Sequence, residues 1–117
     1  MQRGDIYLLD FGIPQGSVQA GVRPALIIQN DVGNRTSSTI IVAAITSRGK
    51  KGYPFHAEIS GRESGLPQDS TVLLEQIQTV PKARLVKKIG GIDSPKMLEV
   101  DKALIISLGI SLTREDI

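Results

Sequence analysis

The residue types with the most chemical content begin with an arginine. In QAGVRPALIIQN, residues 19–30, Arg23 stands at the mouth of an apolar run that reads as a buried strand. A guanidinium presents a planar fork of donors matched to phosphate oxygens and keeps its charge at any physiological pH. For the same reason it is a poor general base. Pro24 disfavours helical dihedrals at Arg23 and so keeps that residue extended where the loop enters the strand. Thr46 ends the run TIIVAAIT just before the basic loop SRGKKG. Its hydroxyl can donate to a phosphate oxygen if its strand end lies beside that of Arg23. The same loop continues as SRGKKGYPFH, so Arg48, Lys50 and Lys51 stand close to Tyr53 and Phe55. Such a mixture suits single-stranded RNA, because cations follow the backbone while aromatic faces stack on splayed bases. His56 is expected on the opposite face from Phe55, able to meet a base or a phosphate. Glu75 and Gln76 interrupt STVLLEQIQTV with groups of the sort that read base edges.

Each of these residues also has a plain structural reading. Arg23 could be a surface partner of a carboxylate, Thr46 a strand-favouring residue, Phe55 a core residue, and Glu75 and Gln76 the polar face of a sheet.

Several reaction classes find no support in the sequence. The chain has one histidine, no cysteine, and carboxylates without a metal-ligand spacing, so no metal is expected. No serine sits in a G-x-S-x-G context, and no G-x-x-x-x-G-K-[ST] loop is present. What remains is chemistry in which the substrate brings its own nucleophile, as RNA does when a 2′-hydroxyl attacks the adjacent phosphate. That reaction needs donors and cations around a phosphate that gains negative charge, and no cofactor.

The elements that must position these groups come next. At 117 residues and 40% hydrophobic content the chain is expected to be one domain, 1–117, with one modest core. Five strand-like runs, IYLLDF, PALIIQN, TIIVAAIT, FHAEI and STVLLEQIQTV, alternate with glycine, proline and serine punctuation. Their short spacing predicts a compact antiparallel sheet or small barrel. In DSPKMLEVDKALIISLGI, Ser94 is predicted to cap a helix with Pro95 at its first position. Met97, Val100, Leu104 and Leu108 then form one apolar stripe. The net charge is +2, but from Phe11 to Ala57 five bases (Arg23, Arg35, Arg48, Lys50, Lys51) face a single acid, Asp31, which points to an anionic partner. No run is long enough to span a membrane, and the N-terminus lacks the features of a secretory signal, so a cytoplasmic location is expected.

Taken together, RGDIYLLDF, GSVQAGVRPALIIQN, AAITS, KGYPFHAEISG and LLEQIQTV resemble the MazF/PemK/Kid family of toxin endoribonucleases from Arg3 to Leu108, in the family's order and spacing. The resemblance implies a mainly β, SH3-like barrel of the PemK/CcdB type with a C-terminal helix, and a homodimer. It also implies metal-independent, sequence-specific cleavage of single-stranded RNA that leaves 2′,3′-cyclic phosphate and 5′-hydroxyl ends. A cognate MazE-like antitoxin with a disordered acidic tail across the RNA groove is implied as partner. The family's catalytic arginine, in its G-x-R-P motif, falls on Arg23, and its threonine after the third strand on Thr46. Ser17, Gln19, Tyr53, His56, Glu75 and Gln76 fall at RNA-contacting positions, with Arg48 and Lys50 beside them. One departure is Val18, where many members carry an acid to which a part in proton transfer is assigned; His56 is a candidate substitute. Two alternatives stay open: a non-catalytic SH3-like module that binds nucleic acid or protein, and a toxin of the same fold directed at DNA gyrase.

Overall fold

The run TIIVAAIT is apolar on both faces because both faces of its strand are buried. In the computed structural model, which describes residues 1–13, 16, 20–49 and 51–112, this run is β3 (Thr39–Thr46). Ala43 and Ile45 enter one apolar cluster, and Ile40, Val42 and Ala44 enter a second on the opposite side. Around it lie β1 (Asp5–Asp10), β2 (Val22–Ile27), β4 (His56–Ile59), β5 (Ser70–Pro81) and β6 (Leu85–Gly91). They form one antiparallel sheet in the order β4-β5-β3-β2-β1-β6. Among the described residues there are also three α-helices, α1 (Asp31–Thr36), α2 (Gly61–Ser64) and α3 (Ser94–Leu108), and a 3-10 turn, Lys82–Arg84, between β5 and β6.

The five expected strands are all present, and β6 is a sixth. Its sequence, LVKKIGG, pairs with β1 through two register shifts. Helix α2, which directly follows the edge strand β4, packs against the other edge strand, β6. A Cβ on Gly90 would collide with the Ser64 carbonyl oxygen, so only glycine permits that approach. This contact links the two edges of the sheet through α2.

Helix α3 roofs the first cluster with Met97, Val100 and Ala103, and Leu104 packs at its edge. Two details differ from the sequence reading. The cap is Asp93, whose carboxylate accepts the Lys96 N–H at 3.0 Å, and Ser94 is the first helical residue. Leu108 is 57% exposed and stands outside the apolar stripe, whereas Ala103 is buried in it. Among the described residues no helix is long and apolar enough to cross a membrane.

Candidate nucleic-acid groove

Arg23 occupies the second position of β2, before the strand becomes buried. Among the described residues its guanidinium makes one hydrogen bond, from Nε to the Ala20 carbonyl at 3.1 Å. It forms no ion pair with the described acids. Among the described residues its terminal nitrogens have no partner, which leaves them to an incoming anion. Ala25 of β2 pairs with Ala44 of β3, and two residues outward along each antiparallel strand stand Arg23 and Thr46. Both line one groove of about 190 Å³, walled on the far side by Leu66, Pro67, Gln68 and Ser70. The Thr46 hydroxyl oxygen accepts the Arg48 N–H at 3.2 Å, which anchors the start of the basic loop. Its own O–H hydrogen is left to donate.

Thr46 and Arg48 also line a second groove of about 320 Å³, so the two grooves adjoin. Lys51, Tyr53, His56, Thr71, Glu75 and Gln76 add polar and aromatic groups to its lining. Tyr53 stacks on Phe55 with ring centroids 5.1 Å apart and 11° between planes, and the His56 ring meets both edge-on. Tyr53 stays 47% exposed, so this cluster presents an aromatic surface to the groove.

The acid in this groove is placed by an irregularity in β5. Ala43 pairs with Ile77 but the next residue, Ala44, pairs with Leu73, so Leu74, Glu75 and Gln76 bulge from the ladder. An odd number of extra residues switches the strand's inward face. Val72 before the bulge and Leu74 at its first position enter the first cluster, and Ile77 packs against it afterwards. The bulge is pinned at Leu74, whose N–H donates to the Phe55 carbonyl at 3.2 Å. The Leu74 carbonyl in turn accepts the Ser107 hydroxyl of α3 at 2.6 Å.

Glu75 then reaches His56. Its carboxylate oxygens lie 2.9 and 3.1 Å from His56 Nε2. An ionised carboxylate only accepts, so Nε2 carries the hydrogen. The His56 side chain is 6% exposed and the Glu75 side chain 41%. His56 Nδ1 is buried without a hydrogen-bond partner among the described residues. With one nitrogen engaged and the other enclosed, His56 has no open nitrogen for the substitute proton-transfer role. Both line the groove, and Glu75 is the more exposed member of the pair.

Seven of the ten site residues expected from sequence, Arg23, Thr46, Arg48, Tyr53, His56, Glu75 and Gln76, therefore line these two grooves. Ser17, Gln19 and Lys50, along with Val18, lie outside the described residues. Sequence reasoning did not single out the wall formed by Pro67, Gln68 and Ser70, of which Ser70 stood only as the first residue of the STVLLEQIQTV run. It also missed Thr71, which lines the second groove and donates to Glu58 at 2.7 Å.

Residues 2–108 match the family described as the PemK-like, MazF-like toxin of type II toxin-antitoxin systems. The fold is similar to that of an endoribonuclease in complex with its cognate antitoxin from a mycobacterial species, at 23% identity and a TM-score of 0.80, covering 97% of this chain and 99% of that one. It is likewise similar to toxin MazF-mt6 of Mycobacterium tuberculosis, at 21% identity and a TM-score of 0.78 over 92% and 98% of the two chains. A MazE–MazF structure from Deinococcus radiodurans matches at 26% identity and a TM-score of 0.74, over 95% and 97%.

Proposed function

The chain belongs to the PemK-like, MazF-like family of toxins of type II toxin-antitoxin systems, and on that premise we propose that it is a metal-independent, sequence-specific endoribonuclease acting on single-stranded RNA. The observation that carries this reading is the convergence of Arg23 and Thr46, from the ends of neighbouring strands, on one groove. A scissile phosphate in that groove would meet a guanidinium fork with uncommitted donors and a hydroxyl free to donate.

In the reaction the 2′-oxygen forms a bond to phosphorus as the bond from phosphorus to the 5′-oxygen breaks. One proton leaves the 2′-hydroxyl and one is taken up by the departing 5′-oxygen, so the products are a 2′,3′-cyclic phosphate and a 5′-hydroxyl. Arg23 and Thr46 stabilise the negative charge that grows on the non-bridging oxygens between these events. Arg48 and Lys51 flank the path of the RNA backbone, joined by Lys50 from the sequence. Tyr53 offers a stacking face, while Ser17 and Gln19 contact RNA from the first loop. The working form is a homodimer in the cytoplasm. A cognate antitoxin inhibits it by laying an acidic segment along the cationic groove, and neighbours solved with their antitoxins support such a partner.

The test is incubation with a long RNA in EDTA. Discrete cuts carrying cyclic phosphate and 5′-hydroxyl ends are expected. Binding without cuts would favour the non-catalytic module. Inhibition of gyrase with intact RNA would favour the gyrase-directed toxin.

A further inference from the structure

The second groove presents a carboxylate to a ligand whose backbone is itself negatively charged. Such a placement costs binding unless the carboxylate meets a specific donor. We propose that Glu75 reads the base next to the scissile phosphate, accepting a base with an exocyclic amino group (adenine, cytosine or guanine) and rejecting uracil. This deepens the RNA-cleavage reading above and rests on it.

The chemistry of the pair decides the preference. The carboxylate lines the groove, accepts the single N–H of His56 and keeps further lone pairs for a second donor. An amino N–H satisfies one of them. Uracil has no amino group, and its only ring N–H on the pairing edge is flanked by two carbonyl oxygens, which would face the carboxylate oxygens and repel them. Tyr53, stacked on Phe55 and nearly half exposed, supplies a platform for any base, so stacking alone cannot discriminate. Arg48 and Lys51 on the same lining offset the carboxylate's repulsion of the phosphates.

His56 is a positioning residue in this scheme. It is enclosed by Tyr53 and Phe55, and its Nε2–H holds both Glu75 oxygens, so the acceptor is fixed before RNA arrives. The bulge pinned by Ser107 and Phe55 sets the backbone beneath it.

The experiment begins by mapping the cuts of the wild-type protein, Glu75→Gln and His56→Ala on one long RNA in EDTA. Wild type is expected to show one position beside the cut from which uracil is excluded, with kcat/KM about ten- to a hundred-fold lower when uracil is placed there in a short oligonucleotide. Glu75→Gln keeps an oxygen for the His56 N–H but adds an amide donor for a uracil carbonyl, so uracil should become acceptable at that position. His56→Ala should blur the same preference, by loosening the acceptor, more than it lowers the rate on favoured sites. Replacing the amino-bearing base by its analogue without the amino group should reproduce the uracil penalty. Equal tolerance of uracil at every position near the wild-type cut would overturn the proposal. So would a Glu75→Gln protein that is slower at every site with unchanged base preference, because that pattern belongs to a proton-transfer group. If wild type cuts nothing, the cleavage reading fails, and the base preference is decided by equilibrium binding of the same uncut oligonucleotides.

Discussion

The two ends of the joined grooves are built on opposite rules. At the Arg23 end a permanent charge is left almost uncommitted, held among the described residues by one bond to a backbone carbonyl. At the His56 end a titratable ring is enclosed, its Nε2 spent on Glu75 and its Nδ1 shut away from solvent. An uncommitted cation has a partner to meet, and the partner whose charge grows during reaction is a phosphate in transit. An enclosed ring meets nothing new and can only orient its neighbour. The contrast separates a part that stabilises a transition state from a part that selects what is bound, and each can be removed without the other.

The largest effect is expected at the uncommitted end. Arg23→Ala should lower cleavage about a hundred- to thousand-fold, with a melting temperature close to wild type, because an exposed arginine contributes little to stability. Unfolding of this variant would mean that Arg23 belongs to the scaffold, and the contrast would dissolve. Thr46→Val comes next, at roughly a hundred-fold or less. Its hydroxyl also holds the Arg48 N–H, so both kcat and KM should suffer, whereas Arg23→Ala should act mainly on kcat.

That contrast was only half legible in the sequence. Arg23 and Thr46 could be read because a charge before a core strand and a hydroxyl at a strand end are local patterns. The adjacency of the two needs only the β2–β3 register. The His56–Glu75 pair could not be read, because it depends on a three-residue bulge whose carbonyl is satisfied by Ser107, 33 residues away. The same distinction runs through the fold. Strand β3 was legible because burial on both faces leaves an unbroken apolar run. Strand β6 was not, since Lys87 and Lys88 interrupt its apolar pattern and Gly90 and Gly91 read as a turn, although Gly90 is there for the close approach of α2. The helix start was misplaced by one residue because Asp93 and Ser94 are both good caps, and backbone geometry chose the first.

At the selecting end the effects are smaller. Tyr53→Ala removes a stacking face worth about 1–3 kcal/mol per base, so RNA affinity should fall roughly ten-fold while cuts remain at the same sequences. A shift of the cut sites would move Tyr53 from platform to reader. His56→Ala should destabilise the protein by about 0.5–1.5 kcal/mol through lost edge-on aromatic contacts, measured by urea unfolding. A change in Arg23-dependent kcat of the size seen with Thr46→Val would break the division of labour between the two ends.

The smallest effect lies outside both grooves and serves as their control. Asp31 is the single acid between Phe11 and Ala57, and the Arg3 backbone N–H and the Asn34 side-chain amide hold its carboxyl below the ordinary value of 3.8. A folded-state value below the unfolded one adds stability that is complete above about pH 4 and is lost as pH falls through the folded value. Asp31→Asn should therefore flatten the acid limb of the stability curve below about pH 4 and leave cleavage at neutral pH unchanged. If instead it altered cleavage or base preference, charge would be acting across the whole basic segment, and the grooves would not be the self-contained pair that their geometry describes.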